Sequence, residues 1–468
     1  MNTETNISSE PRWAGLSEVL RLAMPAILAS ISWTLMQFVD TAFVGQLGKA
    51  PLAAVGSAGL WSFVMNTFVV GVVGCVATFV GQSVGRNRHE DCGRYAWQGI
   101  YLSLAAGVLA LALWPLAAPI FNLMPHSPEV QVQEIAYFRV RLLGYVFVAW
   151  QTALASFFQA INKPVIPMLS AFAANIVNVV LDYGLIFGKL GLPRMEIAGA
   201  ALATVIALTF QVVLLHAVFM GRSIDKTYGT RRGFAPDWAK MSELLHIGWP
   251  AGLSFLLDVV NWGVFTSFIV GSFGDGALAA HTAAISIMHM SFVPAMGLNQ
   301  AIAPIVGQWI GRENIPIAKA RAYTAMRLAI VYMFVMGILF AVYGPVLIHT
   351  FFNDDPAVVS MGHVFLMMGA VFQGFDAINI VLMGALRGAG DTRWLAVVGA
   401  VVAYVVFLPC ALVLAFVLKF EAQGAWLGAT VYVILFSGLV FRRFHGERWR
   451  HIKIFRADAA SLDTAPAK

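Results

Sequence analysis

Stretches of about 20 apolar residues, each bounded by polar or charged residues, recur from one end of this chain to the other, and that is the length a helix needs to cross a bilayer. In lipid every backbone amide and carbonyl must be satisfied internally, so such segments fold as helices. With 59% of 468 residues hydrophobic and only 12% charged, a single soluble core is excluded. The polar opening, Met1 to Arg12, leads into a long span and not into a short apolar region with a cleavage site, so no removable signal peptide is expected. Cys75, Cys92 and Cys410 lack the paired spacing of a disulfide framework or a thiolate metal site.

The expected fold class is an all-α integral membrane protein of twelve transmembrane helices. Polar punctuation places them near residues 16–43, 52–83, 95–118, 134–158, 165–187, 197–220, 244–271, 277–309, 322–346, 358–385, 394–418 and 423–441. About 24 of the 30 Lys and Arg then fall in the N-terminus, the even-numbered loops and the C-terminal tail, while Lys49, Lys189, Arg194 and Lys419 fall in the opposite loops. By the positive-inside rule both termini are cytoplasmic. Arg139 and Arg141, near the outer end of the fourth span, are expected to snorkel to the interface. Domains follow as a tail at 1–15, an N-lobe at 16–220, a cytoplasmic linker at 221–243, a C-lobe at 244–441 and a basic tail at 442–468. The tail interleaves Trp449 and Phe455 with its cations, a pattern that suits interfacial anchoring better than nucleic-acid binding.

Sliding the chain against itself by about 225 residues reveals a repeat. Met24-Pro25-Ala26 meets Trp249-Pro250-Ala251, Val44-Gly45 meets Val270-Gly271, and Gly81-Gln82 with Gly85-Arg86 meets Gly307-Gln308 with Gly311-Arg312. Pro119 meets Pro345, Pro128 meets Pro356, and Gly199-Ala200 meets Gly424-Ala425. The chain is therefore a duplicated six-helix unit. Because six is even, both copies share one orientation, which implies a pseudo-twofold axis along the membrane normal and a cavity between the lobes.

Four aspartates, Asp40, Asp182, Asp258 and Asp376, lie inside the apolar stretches. At about 2.5–3.5 kcal/mol each at mid-bilayer, they cost on the order of 10 kcal/mol together, which a structural helix avoids by using Leu. The repeat copies none of them. An offset of 225 or 226 carries Asp40 to Phe265 or Thr266 and Asp182 to Phe407 or Leu408; run backwards, Asp258 meets Trp33 or Ser32 and Asp376 meets Gln151 or Trp150. Each lobe is thus expected to hold its own polar site. Asn175, Asn178 and Asp182 share one helical face, as do Ser254, Asp258 and Asn261, and Gln373, Asp376 and Asn379. Such faces suit cation coordination or proton sharing; their competing use is interhelical hydrogen bonding, worth about 1 kcal/mol or less per bond.

Trp33 and Gln37 share the face of Asp40 and are candidate substrate contacts. His281 and Asp355 are two more. His281 and His289, two turns apart, suit proton relay or hydrogen-bonded packing, and Asp354 with Asp355 suits cation attraction or a helix start. The 34 Phe, 13 Trp and 19 Met provide material for a deformable wall around flat, lipophilic cations. No His/Glu zinc motif, Gly-x-Ser-x-Gly elbow or Walker A loop is present, so no catalytic residue is assigned and an enzyme or transport ATPase is disfavoured.

Phe38-Val39-Asp40-Thr41 ahead of Gly45-Gln46-Leu47-Gly48, the stretch from Asn178 to Leu185-Ile186-Phe187-Gly188, Ala198 to Ala201 with Ala203-Thr204, and Gly384 to Gly388 with Gly390-Asp391-Thr392 together resemble the multidrug and toxin extrusion (MATE) transporters, over roughly Leu20 to Phe441. The resemblance implies a V-shaped pair of lobes and a secondary antiporter in the cell's inner or plasma membrane. It would export amphipathic, mostly cationic organic compounds in exchange for inward H+ or Na+, as a monomer with no cofactor and no nucleic-acid partner. By motif, Asp40, Asn178, Asp182 and Thr204 match the N-lobe cation site, with Na+ possible at the first three, and Asp258 and Asp376 match the C-lobe acids. Two positions depart from the family pattern: Phe372 stands where a Tyr oxygen is frequent, and Thr282 where Gln is usual. The alternative within the superfamily is a lipid-linked oligosaccharide flippase, which would be expected to line its cavity with Arg or Lys for phosphate; the mid-span charges here are acidic.

Overall fold

A computed structural model of the protein describes residue 13, residues 15–352 and residues 355–455. The expected N-terminal tail apart from residues 13 and 15, the last thirteen residues of the C-terminal tail, and Asp354 lie outside the described residues. Among the described residues there is no strand, and twelve long helices run in order: α1 (Leu16–Gly45), α2 (Lys49–Gly85), α3 (His89–Leu111), α4 (Pro128–Ala160), α5 (Val165–Phe187), α6 (Glu196–Phe219), α7 (Trp238–Phe273), α8 (Asp275–Gly311), α9 (Ile315–Phe351), α10 (Pro356–Ala389), α11 (Thr392–Val417) and α12 (Glu421–His445). All but α3 are long and apolar enough to cross a membrane by composition alone. The chain is a multi-pass membrane protein.

Each helix falls where a span is expected, and the displacements have local causes. α3 starts six residues before its expected first residue, because Glu90 and Asp91 in its first turn complement the helix dipole. It ends seven residues early, just ahead of Trp114-Pro115, where proline removes a donor and disfavours helix at the preceding residue. α7 and α11 contain widened turns at Phe265–Val270, Val402–Phe407 and Val413–Val417. The linker is folded rather than loose: a short helix, Arg222–Tyr228, leads into a segment held against α3, where Trp97 Nε1 donates to Thr230 O at 2.6 Å and Asp237 N donates to Gln98 Oε1 at 3.0 Å.

The helices pack into two units that do not coincide with the expected lobes. Of the described residues, one unit comprises those up to Ile27 together with those of Leu253–Lys453, and the other comprises Leu28–Gly252 together with Ile454 and Phe455. The boundaries fall inside α1 and α7, two residues after Pro25 and Pro250, where the ring removes one bond from the helical ladder. In the first unit the start of α1 is anchored by Glu18, which accepts from Arg321 Nε at 2.7 Å and from Trp309 Nε1 at 3.1 Å. In the second unit the corresponding residue of α7, Glu243, accepts from Tyr95 Oη at 2.5 Å, and Lys240 pairs with Asp91 at 3.1 Å.

Small residues set the closest helix approaches. In one unit a Cβ on Gly384 or Gly388 of α10 would lie 2.6 Å from Asn299 O or 2.2 Å from Ala303 O of α8. In the other, Gly248 and Gly252 of α7 face Val72 O and Phe68 O of α2 at 2.7 and 2.5 Å on the same measure. Helices in lipid gain little from hydrophobicity and associate through such backbone proximity.

Candidate functional site

In the unit spanning Leu28–Gly252, three helices bring Asp40 of α1, Asn178 and Asp182 of α5, and Thr204 of α6 together. Asn178 and Asp182 are fully buried and Thr204 nearly so. Thr204 Oγ1 donates toward Asp40 Oδ2 at 3.4 Å and also reaches Ala200 O at 3.0 Å. The carboxyl groups of Asp40 and Asp182 are neighbours that act on one another. Two ionised carboxylates are both acceptors, so this contact is favourable only with a proton or a metal cation between them. No donor among the described residues reaches Asp40 Oδ1, Asn178 Oδ1 or either oxygen of Asp182. Buried acceptors are normally paired, and a convergent set of orphaned oxygens fits a hard monovalent cation or a shared proton. Among the described residues no group of three or more His, Cys, Asp or Glu is placed to hold a metal ion.

The amide face of α5 divides its work. Asn175 Nδ2 donates to Ser32 O at 2.8 Å and also contacts Ser32 Oγ, tying α5 to α1. Asn178, one turn on, is buried and neither its Oδ1 nor its Nδ2 has a hydrogen-bond partner among the described residues. Trp33 and Gln37 stay exposed on α1, on the face that Asp40 shares.

Arg141, expected to snorkel to the interface, has a charged neighbour in the structure. Arg141 on α4 is half-buried, its Nη1 is shielded from solvent, and its charge acts on Asp40 and on Tyr137, which in turn feels both Asp40 and Asp182. A guanidinium facing a pair of acids is cheaper in low dielectric than the acids alone. The signal was present as the i, i+4 pair Tyr137 and Arg141 on one face of α4. Arg139 lies 5.9 Å from the Trp114 ring.

In the unit containing Leu253–Lys453, Asp258 is exposed and Asp376 half-buried. They act on one another; Arg387 is the charge that offsets Asp258, and Asn379 hydrogen-bonds Asp376. Arg387 lies 4.1 Å over the Phe255 ring and donates to Asn299 Oδ1 at 3.3 Å. Nothing in the sequence marks Arg387 as a partner of Asp258, because it lies 129 residues away on another helix. Gln373 is interhelical glue, donating to Ser291 Oγ at 2.8 Å. Phe372 is buried against Trp426, so the ring that replaces the frequent Tyr packs rather than coordinates.

The remaining candidates do not join these clusters. His281 is buried, its Nε2 sits 2.9 Å from Thr266 Oγ1, and its ring meets Phe265 and Trp426 edge-on. His289 is exposed. Asp355 accepts from Ala357 N at 2.9 Å as the N-cap of α10, which is the helix-start use. Thr282 lines a surface cleft with Asp275, Leu278, Ala279 and Phe352.

Relatives of similar length exist. The chain is 31% identical to the probable multidrug resistance protein NorM of Pseudomonas aeruginosa, over 90% of this chain and 87% of that one. It is 30% identical to the probable NorM of Brucella suis over 98% of both. Its fold is similar to that of the Vibrio cholerae MATE transporter VcmN in the bent form, with a TM-score of 0.84 and 20% identity over 96% of this chain and 99% of the other. The profile of the MatE family matches residues 25–184 and 250–413, the two copies of the internal repeat, each carrying its own acidic cluster. The chain therefore belongs to the MatE family.

Proposed function

We propose that this protein is a secondary multidrug efflux antiporter. It exports amphipathic, mostly cationic organic compounds and is driven by a monovalent cation moving inward. The observation that carries the reading is that Asp40 and Asp182 act on one another, with Thr204 donating toward Asp40 and with Asn178 buried and unpaired among the described residues, on the α5 face of Asp182. Taking a carboxylate out of water disfavours its charge, so the pair takes up a cation, and that cation competes with a positively charged substrate for the same acids. The proton is the coupling ion that fits best. A hydrogen-bonded carboxyl pair holds its oxygens about 2.5–3.0 Å apart, which suits one bridging hydrogen.

Multidrug resistance in the NorM relatives agrees with export as the direction of transport. One proton exchanged for one monovalent cation moves no net charge, so the membrane potential, worth about 2.3 kcal/mol per charge per 100 mV, drops out and the pH gradient alone drives the cycle. Both termini face the cytoplasm in this reading.

The test is substrate export from proteoliposomes under an imposed pH gradient and, separately, under an imposed sodium gradient. Export driven by the pH gradient alone is expected. Export driven by neither gradient removes the antiporter reading.

A further inference from the structure

At the end of the Leu28–Gly252 unit where α3 ends and α4 begins, His126 Nδ1 lies 2.9 Å from Glu134 Oε1. The two differ sharply in setting: the His126 side chain is 36% exposed and Glu134 is 0% exposed. The second carboxylate oxygen, Glu134 Oε2, is buried and no donor among the described residues reaches it. The loop that presents His126 is held in place by Gln131 Nε2 donating to Met124 O at 2.9 Å and by His126 N donating to Met124 O at 2.8 Å. With that clamp already present, a loop latch does not need a buried charge. A Gln at position 134 would accept from the imidazole equally well without the desolvation that an ionised group incurs.

Glu134, Tyr137 and Arg141 stand at i, i+3 and i+7, on one face of α4. Tyr137 and Arg141 are the α4 residues that act on the Asp40–Asp182 pair. One helix face therefore runs from a solvent-touching imidazole, past a buried carboxylate, to the proposed coupling site. The rise from Glu134 to Arg141 is about 10 Å, too long for a single direct transfer. The pair is thus placed as the collecting end of a path and not as the final donor. The loop charge asymmetry puts this end outside, where an inward-moving proton enters.

We propose that His126 and Glu134 form the outer proton-collecting pair of the transporter, an inference that rests on the proton-coupled reading above. His126 takes a proton from solvent at Nε2 and gives the one on Nδ1 to Glu134 Oε1. The neutral carboxylic acid then rotates about its terminal torsion, carrying the protonated oxygen to the position of Oε2, and passes that proton inward along the α4 face toward Asp40 and Asp182. Each transfer leaves the donor one positive charge poorer and the acceptor one richer, and no bond between heavy atoms changes. The other charged or titratable groups facing this path are Tyr137 and Arg141 on α4, Asp40 on α1 and Asp182 on α5. Arg139 is turned to Trp114, and Tyr145 donates to Met65 O at 2.9 Å. α2 has no charged residue after Lys49, α6 none between Glu196 and His216, and α3 none after Arg94.

The experiment compares wild type, His126→Ala and Glu134→Gln in proteoliposomes, measuring substrate affinity and the initial rate of pH-gradient-driven export. Both variants are expected to keep wild-type substrate affinity and to export at least tenfold more slowly, and imidazole added on the His126 side is expected to restore most of the rate of His126→Ala. Wild-type rates in both variants overturn the inference and leave the antiporter reading standing. So does a slowed His126→Ala that imidazole does not rescue, or a loss of substrate affinity in step with rate, since each marks a structural latch. A wild-type protein indifferent to the pH gradient overturns the proton-coupled reading and this inference with it.

Discussion

Phe265 and Phe407 meet with their ring centroids 5.2 Å apart, at the two positions to which an offset of 225 carries Asp40 and Asp182. One copy of the repeat thus holds a pair of carboxyl groups where the other holds a pair of aromatic rings. Trp262 joins the aromatic pair at 5.6 and 5.5 Å, and His281 and Trp426 close round Phe265. The widened turns at Phe265–Val270 and Val402–Phe407 begin or end on these two residues. An aromatic nest incurs none of the desolvation that a buried acid does, so the scaffold is retained while the site is not.

Phe265→Ala should be costly. The side chain is fully buried among aromatic rings, and truncation in such surroundings costs about 3–5 kcal/mol. Thermal unfolding of purified protein in detergent should show a clear fall in midpoint, with Phe265→Leu falling less. A midpoint unchanged by the Ala variant would contradict the packing described.

Asp40→Asn should reach the membrane at normal levels and export at a rate at least tenfold below wild type. The amide keeps the size and most hydrogen bonds of the acid but can neither release a proton nor carry a charge. Drug efflux from cells, normalised to membrane abundance by immunoblot, gives the answer; normal efflux would remove Asp40 from the coupling site.

Gly388→Ala should loosen the approach of α10 to α8. The added Cβ meets backbone, Ala303 O, which cannot swing aside as a flexible side chain would. Overpacking of this kind costs about 1–3 kcal/mol. By contrast Gly374, on the same helix with nothing near its Cβ position, should accept Ala without loss. Comparing the two variants in one unfolding assay separates a packing effect from a helix-propensity effect.

Acid should release the segment that follows α12. The Lys319 ammonium donates to Glu447 and holds its carboxyl below the usual 4.5, with Arg450 adding a contact at 3.0 Å. A depressed carboxylate stabilises the fold fully above its unfolded value and loses that contribution as pH falls through the native one. Hydrogen exchange at residues 446–452, corrected for intrinsic rates, should be flat from pH 7 to 5 and rise below about pH 4. Lys319→Met should remove that rise.

Much of the architecture was legible because the bilayer imposes one rule on every segment. Apolar length located α1 to α12, and the positions of Gly and Pro revealed the duplication. The acids could be picked out for the same reason, since each is an exception to its surroundings. Glu134 and His126 escaped notice, and Arg141 was expected only to snorkel, because all three lie toward one end of a span, where a charge is ordinarily solvated. Nothing in one helix reveals what faces it from another.

By itself the sequence determined which segments span the membrane, that they form two related sets of six, and which side chains are too expensive to be idle. Local chemistry is enough for that, because helix formation in lipid depends on each segment alone. Only the tertiary structure decided that Asp40 meets Asp182 while Phe265 meets Phe407, that Asn175 is taken by Ser32 and Asn178 is not, and that α1 and α7 change units two residues past their prolines. Those outcomes depend on which helix faces touch, a relation between segments far apart in the chain that no local pattern encodes.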